Sequence, residues 1–441
     1  MDRLYRKFHF SPPQVLALLL LGGIILGTLF LLLPISRHGS ISLVDAFFTA
    51  TSAVTVTGLV VVNIDAQFTV FGQVILMTLM QIGGLGFMSF AVLAVLMLGK
   101  RIGIKQRLLL QEALNQTSIG GLVKIVRLVL VFAFSVELVA ALLLSIRLVP
   151  ELGLGEGIYA SIFHSISAFN NAGFSLWSDS LTGYVGDPVM NIVISCLFIT
   201  GGIGFSVISD LYYNRKFRDL SLHTKIMLIS TLAINLTAML VIFLLEYSNP
   251  MTLGNLPMDE KLFASYFQAV VPRSSGFNTI DISSMSVTSI LLMLILMFIG
   301  AGSASTGGGV KVTTFIVLVL AVVTYIKGKS EPVIFRRTIS NMVILRSLAI
   351  VNISIVLILL SVFILTLTED APLLMIVFEA FSAFGTVGLS MGLTPELSIA
   401  GKVLIASLMF FGRLGPLTLA FSLYQHSHDD IRYPEGQIFT G

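Results

Sequence analysis

Thr55-Val56-Thr57-Gly58-Leu59 decides the fold of this chain because it recurs. Asn170-Asn171-Ala172-Gly173-Phe174, Ser274-Ser275-Gly276-Phe277 and Thr386-Val387-Gly388-Leu389 are further copies. The four glycines lie roughly 100 to 115 residues apart. Each follows a short half-polar segment and sits between two long apolar ones. Irregular backbone at membrane depth is tolerated only where protein buries it or it lines a cavity. Four such loops therefore predict one central pore lined by four backbones.

Composition sets the class. Of 441 residues, 56% are hydrophobic and 11% charged, too little charge to cover a soluble protein of this size. Runs of about 20 apolar residues cross a bilayer, and this chain has many, so a polytopic membrane protein is expected. The single cysteine, Cys196, excludes a disulfide framework and a cysteine-based metal site. The six histidines show no ligand spacing. Basic residues precede the apolar run Val15–Leu33, which Pro34 ends without a cleavage site. That run reads as a first span or a signal anchor.

Apolar stretches near 14–33, 70–98, 122–148, 188–210, 223–247, 286–326, 340–367 and 398–424 predict eight spans. Half-polar segments near 43–53, 157–168, 260–271 and 372–383 stand between the members of each pair. About eleven helical residues rise ~16 Å, enough to enter a bilayer but not to cross it. The expected fold is all-α, with four tandem membrane-pore-membrane repeats (eight transmembrane helices and four re-entrant pore helices) in pseudo-fourfold arrangement. The boundaries are 1–107, 108–218, 219–330, which carries a glycine-rich intramembrane loop, and 331–424, followed by a tail over 425–441. Acids mark the starts of the short helices: Asp45, Glu156, Asp259 with Glu260, and Asp370 ahead of Pro372. Their C-terminal ends, at negative dipole potential, would then face the glycine loops and favour a cation there.

Charge gives the sidedness. Nineteen of the 26 Lys and Arg residues fall on one side, including Arg3, Arg6, Lys7, Lys100, Arg101, Lys105 and Arg107, and only Arg37, Arg147, Lys261 and Lys402 on the other. The positive-inside rule makes the first side cytoplasmic, with both termini inside and all four short helices entering from outside. The outer side carries Asp45, Asp65, Glu151, Asp179, Asp281, Glu369 and Glu396 among its acids. They make either a cation-concentrating mouth or the remainder left by the positive-inside bias.

A second echo follows each filter glycine at a common offset in three repeats. Ile82-Gly-Gly-Leu-Gly-Phe87 matches Thr200-Gly-Gly-Ile-Gly-Phe205, and Phe411-Gly-Arg-Leu-Gly-Pro416 fits the same frame. Close helix packing by small residues is one reading of it.

The candidate functional residues follow from this frame. Oxygen donors to a dehydrating ion would be the backbones of Val54, Thr55, Val56 and Thr57 before Gly58, and of Phe169, Asn170, Asn171 and Ala172 before Gly173. Pro272, Arg273, Ser274 and Ser275 precede Gly276, and Phe384, Gly385, Thr386 and Val387 precede Gly388. Arg273 either braces its loop from behind or is a bystander. Gly300-Ala301-Gly302-Ser303-Ala304-Ser305-Thr306-Gly307-Gly308-Gly309, then Val310 and Lys311, interrupts an apolar stretch too long for one crossing. It is no phosphate-binding loop, because Val312 follows the lysine; a flexible kink is the plain reading. Arg413 occupies the frame of Gly84 and Gly202, where an arginine costs about 2.5–3.5 kcal/mol to insert. It would either repel cations beneath the filter or pair with Glu137 or Glu379.

With these residues in view, the chain resembles the Trk/Ktr/HKT superfamily of potassium transporters over nearly its whole length, most of all the KtrB-type membrane subunits of bacteria. The resemblance implies a potassium-uptake pore in the plasma (inner) membrane, with potassium held at the filter carbonyls. It assigns one filter glycine to each repeat, matching Gly58, Gly173, Gly276 and Gly388. In plant relatives a serine at the first of these goes with sodium, so Gly58 implies potassium preference. It further implies that the 300–311 loop lies across the pore as a gate and that Arg413 faces the pore. The implied partners are a second copy, as a homodimer, and a cytoplasmic KtrA-like ring of nucleotide-binding RCK/KTN proteins that binds ATP and ADP. No cofactor is expected on this chain. The second and third loops depart from the potassium-channel pattern TVGYG, which leaves selectivity looser.

Two further functions were weighed against a channel-like pore. A secondary carrier with alternating access, coupling potassium to sodium, would use inverted repeats, whereas an even number of crossings per repeat gives all four the same orientation. A membrane enzyme would need converging polar groups, and the sequence has no paired histidines, no GxSxG and no metal-ligand cluster.

Overall fold

The computed structural model describes residues 12–86 and 122–415. The inner basic residues Arg3 to Lys7, Lys100 to Arg107 and Arg432, the tail, and the ends of the second and eighth apolar stretches lie outside the described residues.

Each repeat opens with one long helix. These are α1 (Pro12–Leu32) and, with the label α2 kept for the first short helix (Leu43–Val54), α3 for Ile64–Gln67 and α4 for Val70–Leu85, the second long helix α5 (Leu122–Leu152). Repeat two continues with α6 (Leu154–Phe169), α7 (Pro188–Gly202) and α8 (Phe205–Tyr213). Repeat three holds α9 (Leu222–Glu246), α10 (Met258–Val270), α11 (Val287–Phe298) and α12 (Val312–Ile326). A two-stranded hairpin follows, β1 (Val333–Ile334) pairing antiparallel with β2 (Arg337–Thr338), Val333 opposite Thr338. Repeat four is α13 (Asn341–Thr368), α14 (Leu373–Gly385) and α15 (Ile399–Leu414).

Among the described residues, four helices are long and apolar enough to cross a membrane singly, and they lie in α1, α5, α9 and α13. On α9 the stripe Leu232, Leu236, Leu240 and Leu244 is 57–65% exposed at a spacing of four. Such a face needs an apolar covering, as a lipid bilayer supplies.

The second helices are interrupted, as the glycine run predicts for repeat three, and the described parts of the other three end early as well. α4 and α15 stop at the last glycine of the echo motif, and α7 ends at Gly202, two residues before it. Gly86, Gly204 and Gly415 have φ of 86°, 107° and 86°, with ψ near 136–138°. L-residues rarely adopt this backbone, and it turns the chain out of the helix. After Gly204 the axis bends by 93° into α8. In repeat three the break is the whole segment between Phe298 and Val312.

The short helices match the expected positions and have the expected start signals, with one shift. Ser42 caps α2, accepting from the Asp45 N–H (3.0 Å) and donating to its carboxylate (2.7 Å), which closes the first turn. Glu156, Asp259 and Glu260 lie in first turns. Pro372 occupies the N-cap of α14 and not its first helical position, with Asp370 just outside.

The second helix of each repeat packs on the short helix of the next: α4 on α6, α7 on α10, α11 on α14, and α15 on α2. The last contact returns to the first repeat and closes the ring. There Lys402 bonds the Asp45 carboxylate at 2.7 Å.

Candidate functional site

The four glycine loops meet on one axis. A Cβ on Gly58 would stand 2.5 Å from Ala172 O, and one on Gly173 would stand 2.7 Å from the Gly276 Cα. On Gly276 it would meet Val387 O (2.9 Å) and the Gly388 Cα, and on Gly388 the Gly58 Cα at 3.0 Å. The glycines therefore form a closed ring in chain order, with Gly58 opposite Gly276 and Gly173 opposite Gly388. No side chain fits at any of the four.

All four glycines have positive φ (91°, 68°, 73° and 89°), and so does the residue two before each: Val56 (51°), Asn171 (57°), Ser274 (69°) and Thr386 (47°). Left-handed Val and Thr are strained, and the same left-handed turn recurs at this position in all four copies. A serine six residues before the glycine holds three of the loops. Ser52 and Ser382 accept from the Gly58 and Gly388 N–H groups (3.0 and 3.1 Å), and Ser167 donates to Phe174 O (2.7 Å). The third repeat has Val270 there.

Outside the ring opens a cavity of about 770 Å³ lined by all four glycines and by Asp179, Asp281 and Trp177. Partial burial works against the Asp281 charge, but the hydroxyls of Ser283 and Ser284 and the Ser283 N–H outweigh it and hold the carboxyl below its ordinary pKa. The mouth thus carries at least this ionised acid.

Inside the ring lies the 300–311 segment. Its ends are tied by the Gly300 N–H to Val310 O (2.8 Å). Thr306 Oγ1 donates to Asn171 Oδ1 (2.8 Å) and the Gly308 N–H to Thr386 Oγ1 (2.9 Å). A Cβ on Gly307 would strike Ser274, and one on Gly309 would approach the Gly385 Cα. Residues 306–309 therefore touch three of the four left-handed residues from below. Residues 302–304 are drawn aside, with the Gly302 N–H on Gly202 O (2.8 Å) and Ala304 O accepting from the Phe205 N–H (2.7 Å).

Two cations pin this segment through carbonyls. Lys311 Nζ donates to Gly307 O (2.7 Å) and Gly308 O (3.4 Å). The Arg413 guanidinium donates to Thr306 O, to Gly83 O and, at 3.2 Å, to Gly84 O. Among the described residues it pairs with no acid. Glu137 accepts from Gln81 (2.9 and 3.0 Å) and from Asn170, and Glu379 from Ser390 (2.8 Å) and Thr394. Arg273 does point away from the ring, donating to Asn235 Oδ1 (2.9 Å) and Thr231 Oγ1 (3.4 Å) on α9.

The echo motif has two tasks. A Cβ on Gly83, Gly201 or Gly412 would strike the carbonyl of Val54, Phe169 or Phe384, the last pore-helix residues or their neighbours, so the first glycines permit close packing and the last one breaks the helix. Sequence reasoning passed over the bracing serines, although Thr51-Ser52-Ala53, Ile166-Ser167-Ala168 and Phe381-Ser382-Ala383 stand at one offset.

Comparison with known proteins gives one answer. Residues 26–430 match the TrkH family model, described as cation transport protein. The chain is 58% identical over 440 residues to the Ktr system potassium uptake protein B of Bacillus subtilis (strain 168), covering all of this chain and 99% of the other. It is 39% identical over 454 residues to the potassium/sodium uptake protein NtpJ of Enterococcus hirae, covering all of this chain and 99% of that one. The crystal structure of the potassium transporter TrkH from Vibrio parahaemolyticus superposes with a TM-score of 0.76 at 19% identity, over 96% of this chain and 87% of that one, a likeness of fold.

Proposed function

Because the chain belongs to the TrkH family of cation transport proteins, we propose that it is the ion-translocating subunit of a potassium uptake system in the plasma membrane. The observation that carries this reading is the glycine ring with its paired left-handed residues. Extended backbone points successive carbonyls to opposite sides; reversing φ at every second residue turns them to the same side. Four such strands around one axis can replace the water of a dehydrating cation. Val54–Gly58, Phe169–Gly173, Pro272–Gly276 and Phe384–Gly388 are the filter, and potassium is the favoured ion.

The segment from Gly300 to Lys311, held by Arg413, is the gate. Its contact with the ring lies at Thr306–Gly309, and the Arg413 guanidinium beneath the filter adds an electrostatic barrier. The four repeats keep the boundaries given above and one orientation, both termini are cytoplasmic, and permeation is channel-like. This chain works as a homodimer on a nucleotide-binding RCK/KTN ring, which takes the ATP or ADP. Potassium/sodium symport is the second reading, favoured by the name of the Enterococcus relative.

Potassium uptake in a host stripped of its own uptake systems tests the assignment, with and without a candidate ring protein. The wild-type chain should restore growth at low potassium. Gly58→Ser, whose Cβ would also crowd Ala172 O, should lower total uptake and weaken potassium-over-sodium preference in the uptake that remains by about tenfold, as the loss of ~1.4 kcal/mol of discrimination would give. Unchanged preference would remove Gly58 from the filter. Flux exceeding any conformational cycle would separate a pore from a symporter.

A further inference from the structure

Two buried ionisable side chains outside the filter and gate occupy equivalent places. His164 and Glu379 each lie nine residues before the glycine of their loop, on α6 and α14, and each has 0% exposure. Each meets the serine two residues after that glycine. His164 Nε2 is 3.1 Å from Ser175 Oγ, and Glu379 Oε2 accepts from Ser390 Oγ at 2.8 Å.

The hydrogen-bond directions agree. His164 Nδ1 lies 2.8 Å from Ala160 O, which can only accept, so the proton sits on Nδ1 and the neutral ring offers Nε2 as an acceptor. The Ser175 hydroxyl therefore donates inward to the imidazole. Its oxygen in turn accepts from the Trp177 N–H two residues on (3.0 Å). Ser390 repeats this: it donates to Glu379 and accepts from the Gly392 N–H (3.1 Å). Further contacts fix both anchors. Trp177 stacks on the His164 ring at 4.2 Å and 18°, and Thr394 Oγ1 donates to the other Glu379 oxygen.

The other two repeats lack the device. Nine before Gly58 stands Thr49, whose hydroxyl turns back to Asp45 O (2.8 Å), and two after it stands Val60. Repeat three has Phe267 and Asn278, and the Asn278 amide donates to Ile280 O (3.2 Å). Gly173 and Gly388 face each other across the ring, so the loops with this side-chain brace are opposite and those without it fill the alternate quadrants; in repeat three the Asn278 backbone instead donates to Ser180 Oγ (3.2 Å) and accepts from the Leu181 N–H (3.0 Å).

We propose that His164 and Glu379 are positioning residues that hold the outer exits of two opposite filter loops at fixed separation, and that this separation sets discrimination between potassium and sodium. The proposal rests on the reading of the ring as a filter. Loops free to close inward would fit the smaller dehydrated sodium ion; loops held apart would not.

The test uses the full chain in the uptake-deficient host, with surface abundance measured in parallel. Ser175→Ala and Ser390→Ala each remove one brace from the loop side, where both serines are only partly buried, and so spare the helix interior. Each should lower the potassium-to-sodium uptake ratio about three- to tenfold, the usual effect of losing one buried hydrogen bond, with abundance unchanged. Ser390→Thr, which keeps the hydroxyl, should restore the ratio. Should Glu379→Ala fail to accumulate, the serine variants still decide. Wild-type discrimination retained in Ser175→Ala, Ser390→Ala and their double variant would overturn the braces alone. An equal shift from Asn278→Ala would also overturn them. A wild-type protein without discrimination would overturn the filter reading and the braces with it.

Discussion

Repeat three and its three companions solve the same problem in different ways. At the ring they are alike: Ser274 and Gly276 have the same positive φ as their counterparts. Away from it they diverge. The others hold the loop by a serine and break the second helix at one glycine. Repeat three ends α10 at Val270, supports its loop by Arg273 reaching back to α9, and spreads its break over residues 299–311. Symmetry is kept where the four loops meet at the ring and given up where a single segment lies beneath it.

The largest effect should come from testing that likeness. Gly276→Ala and Gly173→Ala should each abolish uptake, by roughly 100-fold or more. Left-handed strain of about 1–3 kcal/mol adds to a backbone clash of similar size. If Gly276→Ala transports normally under conditions where Gly173→Ala does not, the third loop is no equal member of the ring.

The difference between the repeats is tested by releasing the axial segment. Arg413→Ala removes the ties to Thr306, Gly83 and Gly84, and should raise potassium flux about tenfold, since a charge-assisted hydrogen bond contributes about 1.5–3 kcal/mol. Shortening the glycine run should act in the same direction. Flux unchanged or lower, in folded protein at equal abundance, would leave the segment a kink without gating weight.

The smallest effect concerns the braces beneath each loop. Ser382→Ala leaves the buried Gly388 N–H without its acceptor, at a cost of about 1 kcal/mol and ~2 °C in the thermal midpoint in detergent. Val270→Ser in repeat three should give no matching gain, because α10 has already ended there. A gain equal to the Ser382→Ala loss would show that the third loop differs in sequence only.

Much of this was legible because it rests on spacing. Four glycines, four short amphipathic segments and one overlong apolar stretch locate the ring, the pore helices and the axial break by counting alone. What escaped depends on assembly. Nothing in Val56 or Thr386 announces a left-handed backbone, which both residue types disfavour; the crowding of four loops imposes it. The echo glycines read as packing, and three of them are, but the last glycine of each motif breaks the helix and so corrects the expected straight spans. Glu379 and Glu137 were weighed as partners for Arg413 because charge suggests charge. In the structure, hydroxyls and amides closer to each acid take that place, and the arginine binds carbonyls.

The seam between repeats one and four has a consequence for biogenesis. Lys402 reaches Asp45 across 357 positions, and Arg413 reaches Gly83 across 330. A ribosome delivers repeat one long before repeat four. Until repeat four is made, the contact of α15 on α2 that closes the ring has no partner to form with. Among the described helices the last to emerge is α15, which carries both the Lys402 that meets Asp45 and the Arg413 that fastens the axial segment. On the proposed reading, closure of the ring and fastening of the axial segment therefore fall in the same late step of synthesis.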